Sequence, residues 1–271
     1  GRLDARTSGG SIVVAAVTGP VDVRTSGGSI ELTDIDGRAE AQTAGGSIEA
    51  RSVTGDLAVE TAGGSIEIET AGGSVRAETA GGSIRVTDVE GTLRANTAGG
   101  DIRITNAAQS VTAETAGGDI ELDTIGGAVD ATTSGGDVEG RGFRGRIRAR
   151  TSAGDIQLED VRAGVDARTS VGDIEIEMTL SDFSGDYATS LRSSHGDIEL
   201  RLPAPLPASI DAEVRSLYGR VDREDIYSDF PLTRQMPDDG DVLRATGDLN
   251  GGGPTFDLRC EGGSIRIEKG N

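Results

Sequence analysis

Apolar and polar residues alternate along this chain in blocks of nine. In Ser29-Ile30-Glu31-Leu32-Thr33-Asp34-Ile35-Asp36-Gly37, places two, four and seven are apolar, places three and five are polar, and a turn closes the block. Arg38-Ala39-Glu40-Ala41-Gln42-Thr43-Ala44-Gly45-Gly46 repeats the plan with smaller side chains. Alternation with period two marks a strand with one buried face. Each block therefore predicts one strand and one turn. The first block of each pair carries the large residues (Ile66, Ile68; Ile84, Val86) and the second the small ones (Val75, Ala77; Leu93, Ala95), so large is expected to face small across a narrow core. No segment holds an apolar period of 3.6, and helix should be nearly absent.

Two blocks make one unit. The threonine of Thr-Ala-Gly-Gly-Ser-Ile and its variants recurs without a break in spacing from Thr7 and Thr25 through Thr151 and Thr169. Three looser copies follow at residues 193–198, 216–221 and 260–265, which brings the expected count to about thirteen. A fixed period of this size means stacked units that cannot bury their apolar faces alone. The predicted fold is all-β: an elongated two-sheet parallel β-solenoid, one coil per 18 residues. At the strand spacing of ~4.8 Å the stack would be about 60 Å long.

The second glycine of each pair is present in every copy, whereas Ala153, Val171, His195 and Tyr218 replace the first. The second place is therefore expected to need positive φ, where a Cβ would clash. Thr70-Ala71-Gly72-Gly73 puts a copy of the first turn where the second belongs, and the period survives. Residues 1–177 read as regular coils and 178–271 as irregular coils with a cap, continuous in one domain. Six of the seven aromatics fall in this last part: Phe183, Tyr187, Tyr218, Tyr227, Phe230 and Phe256. An open last coil must be covered, which gives these insertions the role of a C-terminal cap. The first strand begins in repeat register at Arg2 with no such device. That edge is expected either to continue from a segment upstream or to pair with a protein partner or a second copy.

Composition narrows the choice of partner. The formal charge of −20 disfavours nucleic acid and anionic membrane surfaces. The single cysteine, Cys260, excludes an intrachain disulfide, and no apolar run approaches the roughly 18 residues of a membrane helix. Any signal or anchor segment is expected to be absent from this chain, which starts inside a repeat.

The string of Thr-x-Gly-Gly-(Ser/Asp)-Ile turns, with variants such as Thr169-Ser170-Val171-Gly172-Asp173-Ile174, and the ending from Gly251-Gly252-Gly253-Pro254 to Gly263-Ser264-Ile265-Arg266-Ile267-Glu268 resemble the bacterial DUF4097 adhesin family of β-strand-repeat domains. The resemblance covers essentially the whole chain. It implies an extracytoplasmic, envelope-associated protein without assigned catalytic residues.

Candidate chemistry is sparse. The place after Gly-Gly is serine in the early coils and aspartate at Asp101, Asp119, Asp137, Asp155, Asp173 and Asp197. Stacked carboxylates repel by about 1 kcal/mol per neighbour in water-like surroundings. Bound calcium would relieve this, as would Arg103, Arg148, Arg150 and Arg168. Gly-Gly-Asp-Ile does not match the calcium β-roll signature, however, and turn aspartates that accept backbone N–H bonds are the favoured reading. The threonine column suits corner hydrogen-bond ladders better than an ice-binding face, because its neighbours Arg6, Arg24, Glu60 and Glu78 are charged. A hydrolase would need a base beside a nucleophile, and the only histidine, His195, sits at the tolerant place of a turn. Cys260 holds the threonine place and is expected to be a small buried residue. The chain thus reads as a non-catalytic structural or adhesin-like module, with no cofactor or metal ligands assigned.

Overall fold

The computed structural model describes residues 1–216, 221–237 and 240–270. The motif copy at residues 216–221, with Tyr218 and Gly219, lies largely outside the described residues. The chain forms two compact units, Gly1–Thr133 and Ser134–Asn271.

In the first unit one sheet gathers Leu3–Thr7, Val21–Thr25, Ala39–Thr43 and their successors through Val129–Thr132. The other gathers Ile12–Thr18, Ile30–Asp36, Ile48–Val53 and their successors through Ile120–Ile125. Each strand pairs in parallel with its copy one repeat further on, Ile84 beside Ile102 and Val86 beside Ile104. This is the two-sheet parallel β-solenoid that the period predicts. Its core is the inward row of both sheets: Ile30, Leu32 and Ile35 from one, Ala39 and Ala41 from the other, all buried.

Place seven reaches the core because the strand bulges just before it. Asp34, Ser52, Asp88, Asn106 and Thr124 have φ between 48° and 59°. Thr87 pairs with Thr105 and Val89 with Ala107, while Asp88 and Asn106 are skipped in the ladder. One left-handed residue per coil reverses the parity of the strand and points the next side chain inward. Aspartate and asparagine tolerate that conformation; Ala16 (φ 55°) and Thr124 hold it under strain. The coil with the duplicated turn manages differently. Its strand is only Ile66–Ile68, and Ala71 bridges Val53 on one side and Val89 on the other, keeping the period.

The second unit continues the plan with Val138–Phe143, Ile147–Arg150, Ile156–Val161, Val165–Thr169 and Ile174–Met178. Beyond Met178 the spatial order departs from the chain order. The last strands, Thr255–Glu261 and Ile265–Gly270, pair directly with Thr189–Ser193 and Ile198–Pro203. The earlier strands Ala208–Arg215 and Ile226–Ser228 lie outside them. Regular coils therefore number about ten, and thirteen coils in chain order are not formed. The reason is the insertion between residues 204 and 254, whose strands pair onto the outer side of the last coil.

That insertion is the cap. Val242–Leu249 runs antiparallel to Ala208–Arg215, and Thr233–Gln235 runs antiparallel to Val242–Leu249. The outermost strands have three residues each, and Pro231 and Pro237 flank one of them, which blunts the edge. Arg234 reaches from one edge strand to the other and donates to Ile226 O at 3.1 and 3.2 Å. Tyr187 and Phe256 pack as a tilted pair at 6.3 Å. The 3₁₀ turn Arg223–Asp225 is the one helical element among the described residues.

Candidate functional site

The repeated polar residues meet at the Gly-Gly corner. From Thr25 to Thr115 each corner threonine does two things with one hydroxyl. Thr61 Oγ1 donates to Gly46 O of the preceding coil at 2.8 Å and accepts the N–H of Gly64 in its own turn at 3.3 Å. Thr79 repeats this with Gly64 O and Gly82 N, at 2.8 and 3.3 Å. The donated bond persists in the second unit at Thr169 and, with a serine hydroxyl, at Ser193. From Thr25 to Thr169 the threonines of the column are buried, so the column is a structural ladder inside the corner. Cys260 takes the same place: its Sγ–H lies 3.1 Å from Gly196 O, and burial pushes the thiol up to about 12.

The second glycine is not explained by positive φ, contrary to expectation. Gly172 and Gly196 have φ of 142° and 144°, but Gly28, Gly46, Gly64, Gly82, Gly100 and Gly118 are not in the positive range. What excludes a side chain is the coil beneath. A Cβ on Gly64 would lie 2.1 Å from Gly46 O, whereas one on the neighbouring Gly63 would lie 3.5 Å from Gly45 O, an ordinary contact. Backbone rests on backbone at the second place only, which is why the first accepts Ala153, Val171 and His195.

The column after Gly-Gly is a second ladder. Asp155 accepts the N–H of Asp173 at 2.7 Å, Asp173 that of Asp197 at 2.7 Å, and Asp197 that of Ser264 at 2.7 Å. Serines do the same in the first unit, as when Ser47 Oγ accepts the N–H of Ser65 at 3.3 Å. Oδ1 of each of these carboxylates is thus held by a backbone amide of the next coil. The arginines lie elsewhere. Arg103 pairs with Glu121, and Arg148, Arg150 and Arg168 reach Asp166 on an outer sheet face, so they are not placed against the turn aspartates as the sequence suggested. Outer charges form hubs instead: Arg51 meets Glu31, Glu49 and Glu69 from three coils, and its hydrogen bond to Glu69 raises its pKa above the usual arginine value.

A hollow of about 390 Å³ in the second unit is lined by His195, Asp197, Arg215, Asp225 and Ser264. His195 is exposed there, as its place in the turn suggests. The Ser264 hydroxyl donates to Asp197 Oδ1 at 2.9 Å, which fixes the turn and does not aim the oxygen at a base. Among the described residues no group of three or more His, Cys, Asp and Glu is arranged to hold a metal, and no helix is long and apolar enough to cross a membrane. The left-handed column at Asp34, Asp88 and Asn106 leaves no single residue type in the repeats, since Ala16 and Thr124 belong to it as well.

The fold and its corners define a β-solenoid repeat module. The chain belongs to the family described as Toastrack DUF4097, which it matches over residues 2–141 and again over 50–201. No curated protein and no solved structure matches it.

Proposed function

We propose that this chain is a non-catalytic structural or adhesin-like module of the bacterial cell envelope, working outside the cytoplasm and joining a protein partner or a second copy through its first coil. The observation that carries the non-catalytic reading is the double ladder. The hydroxyls and carboxylates that recur along the chain are engaged with backbone groups of the adjacent coil, which supports a role in holding shape. The envelope setting is supported by the family resemblance of the turns. Leu3–Thr7 and Ile12–Thr18 each have a strand on one side only among the described residues, and Val13 is 69% exposed where later coils carry Glu31 and Glu49. An unpaired strand edge flanked by apolar residues suits β-augmentation.

Light scattering over a range of concentrations tests the assembly. Mass should rise with concentration for the chain and stay constant for a Val13→Glu variant; constant mass for both would refute joining through a second copy. Hydrolytic turnover lost on His195→Ala would refute the non-catalytic reading.

A further inference from the structure

We infer that residues 255–270 are a donor segment, held in a two-sided slot that also accepts the same segment of a second copy of this chain. Thr255–Glu261 is sandwiched between Thr189–Ser193 and Ala208–Arg215, and Ile265–Gly270 between Ile198–Pro203 and Ile226–Ser228. All four pairings are parallel. The segment therefore completes both sheets at once. The strands on its outer side belong to earlier residues, so the slot's two walls are joined to each other independently of the segment.

The segment brings its own means of binding. Phe256, Leu258, Cys260, Ile265 and Ile267 are buried to within 1%. Arg192 meets Asp257 at 2.8 Å, and Arg259 meets Asp211 at 3.0 Å, one ion pair to each wall. Its link to the cap is a hinge. Asn250, Gly251 and Gly252 have φ of 50°, 94° and 81°, and the chain then crosses over the backbone at Pro207, where a Cβ on Gly253 would lie 2.5 Å from Pro207 O. The hinge carries the chain from Leu249 on one side of Ala208–Arg215 to Thr255 on the other. A strand pair that is fully paired, self-contained and tied by glycines is the element that two copies exchange at low cost, because each slot sees the same contacts whichever chain supplies them. With Gly251, Gly252 and Gly253 removed, Asn250 and Pro254 are too short to step over the intervening strand, and the segment can reach only the slot of another copy.

Ser190 and Asp257 are paired neighbours across the slot wall, at a spacing that suits a disulfide. In a Cys260→Ser background, which puts at that corner the hydroxyl that Ser193 already supplies in another coil, a Ser190→Cys chain and an Asp257→Cys chain refolded together and oxidised only after folding form the 190–257 bond, read by peptide mapping, only if the segment of one lies in the slot of the other. Pairing through the first coil cannot make this bond, so the test is independent of that assembly. A cross-chain product is expected that grows with refolding concentration when the hinge is intact, and that predominates when both chains lack the three glycines. A Ser190→Cys/Asp257→Cys chain with the intact hinge should close on itself at low concentration, which shows that the pair is competent. Closure of that chain together with no cross-chain product in either mixture would overturn the inference.

Discussion

At the residue scale, the second glycine separates two explanations that the repeats alone do not distinguish. A need for positive φ and a need for space both remove every side chain from a position. Only the distances between coils show that the carbonyl of the coil beneath is the cause. Gly64→Ala should cost about 2–4 kcal/mol, since either the coils part or the backbone strains, while Gly63→Ala should cost under about 1 kcal/mol. Gly10 sharpens the comparison, because its Cβ would meet nothing nearer than Thr7 Oγ1 at 3.6 Å. In this chain Gly10→Ala should be as mild as Gly63→Ala in urea unfolding; an effect like that of Gly64→Ala would restore the φ explanation. Cys260 belongs to the same scale. With the thiol raised to about 12 by burial, the folded state favours the protonated form. Its contribution to stability is complete below the ordinary thiol value of 9.0 and is lost as pH rises from there toward 12. Native protein should resist thiol reagents at pH 8, and labelling should appear only on unfolding.

At the element scale, the strand of each nine was legible, since period-two alternation survives any choice of outer residue. The bulge at place six was not. Its residues run through Ala16, Asp34, Ser52, Asp88, Asn106 and Thr124, a mixture whose common feature is a backbone angle. The corner ladder was legible as a threonine column but not as a two-way hydroxyl. Thr79→Val keeps the shape and removes both bonds, leaving Gly64 O and the Gly82 N–H without their partner. A loss of about 1–3 kcal/mol is expected, and less for Thr79→Ser. The aspartate ladder predicts that millimolar Ca²⁺ leaves the melting temperature unchanged; a rise that vanishes in Asp155→Asn would show a cation in the column. Asp160 adds a pH dependence. Partial burial raises its pKa, but the hydrogen bonds from Thr179 and Arg162, with the charges of Arg162 and Arg144, outweigh this and lower it below the ordinary carboxylate value of 3.8. Its stabilisation is present above that value and lost as pH falls through the lower folded pKa. Asp160→Asn should flatten the acid limb of the stability curve.

At the scale of the whole molecule, the repeat period shows which strands pair but not the order in which they stack. The final coil is sequence-typical, from Cys260 to Ile265, and nothing in it reveals that it lies inside the cap. That arrangement follows from the long insertion, whose strands pair with the last coil from outside. Within the first unit the order is regular, and stability should be close to a sum over coils and their interfaces. The central claim is that the pair of blocks, and not the single block of nine, is the indivisible structural step. The most direct measurement is urea unfolding followed by circular dichroism for two deletions. Removing residues 82–99 takes out one whole coil and should leave a β spectrum and a single cooperative transition. Removing only residues 91–99 would turn each later strand into the opposite sheet and should abolish that transition. Equal tolerance of both deletions, or collapse of both, would contradict the claim.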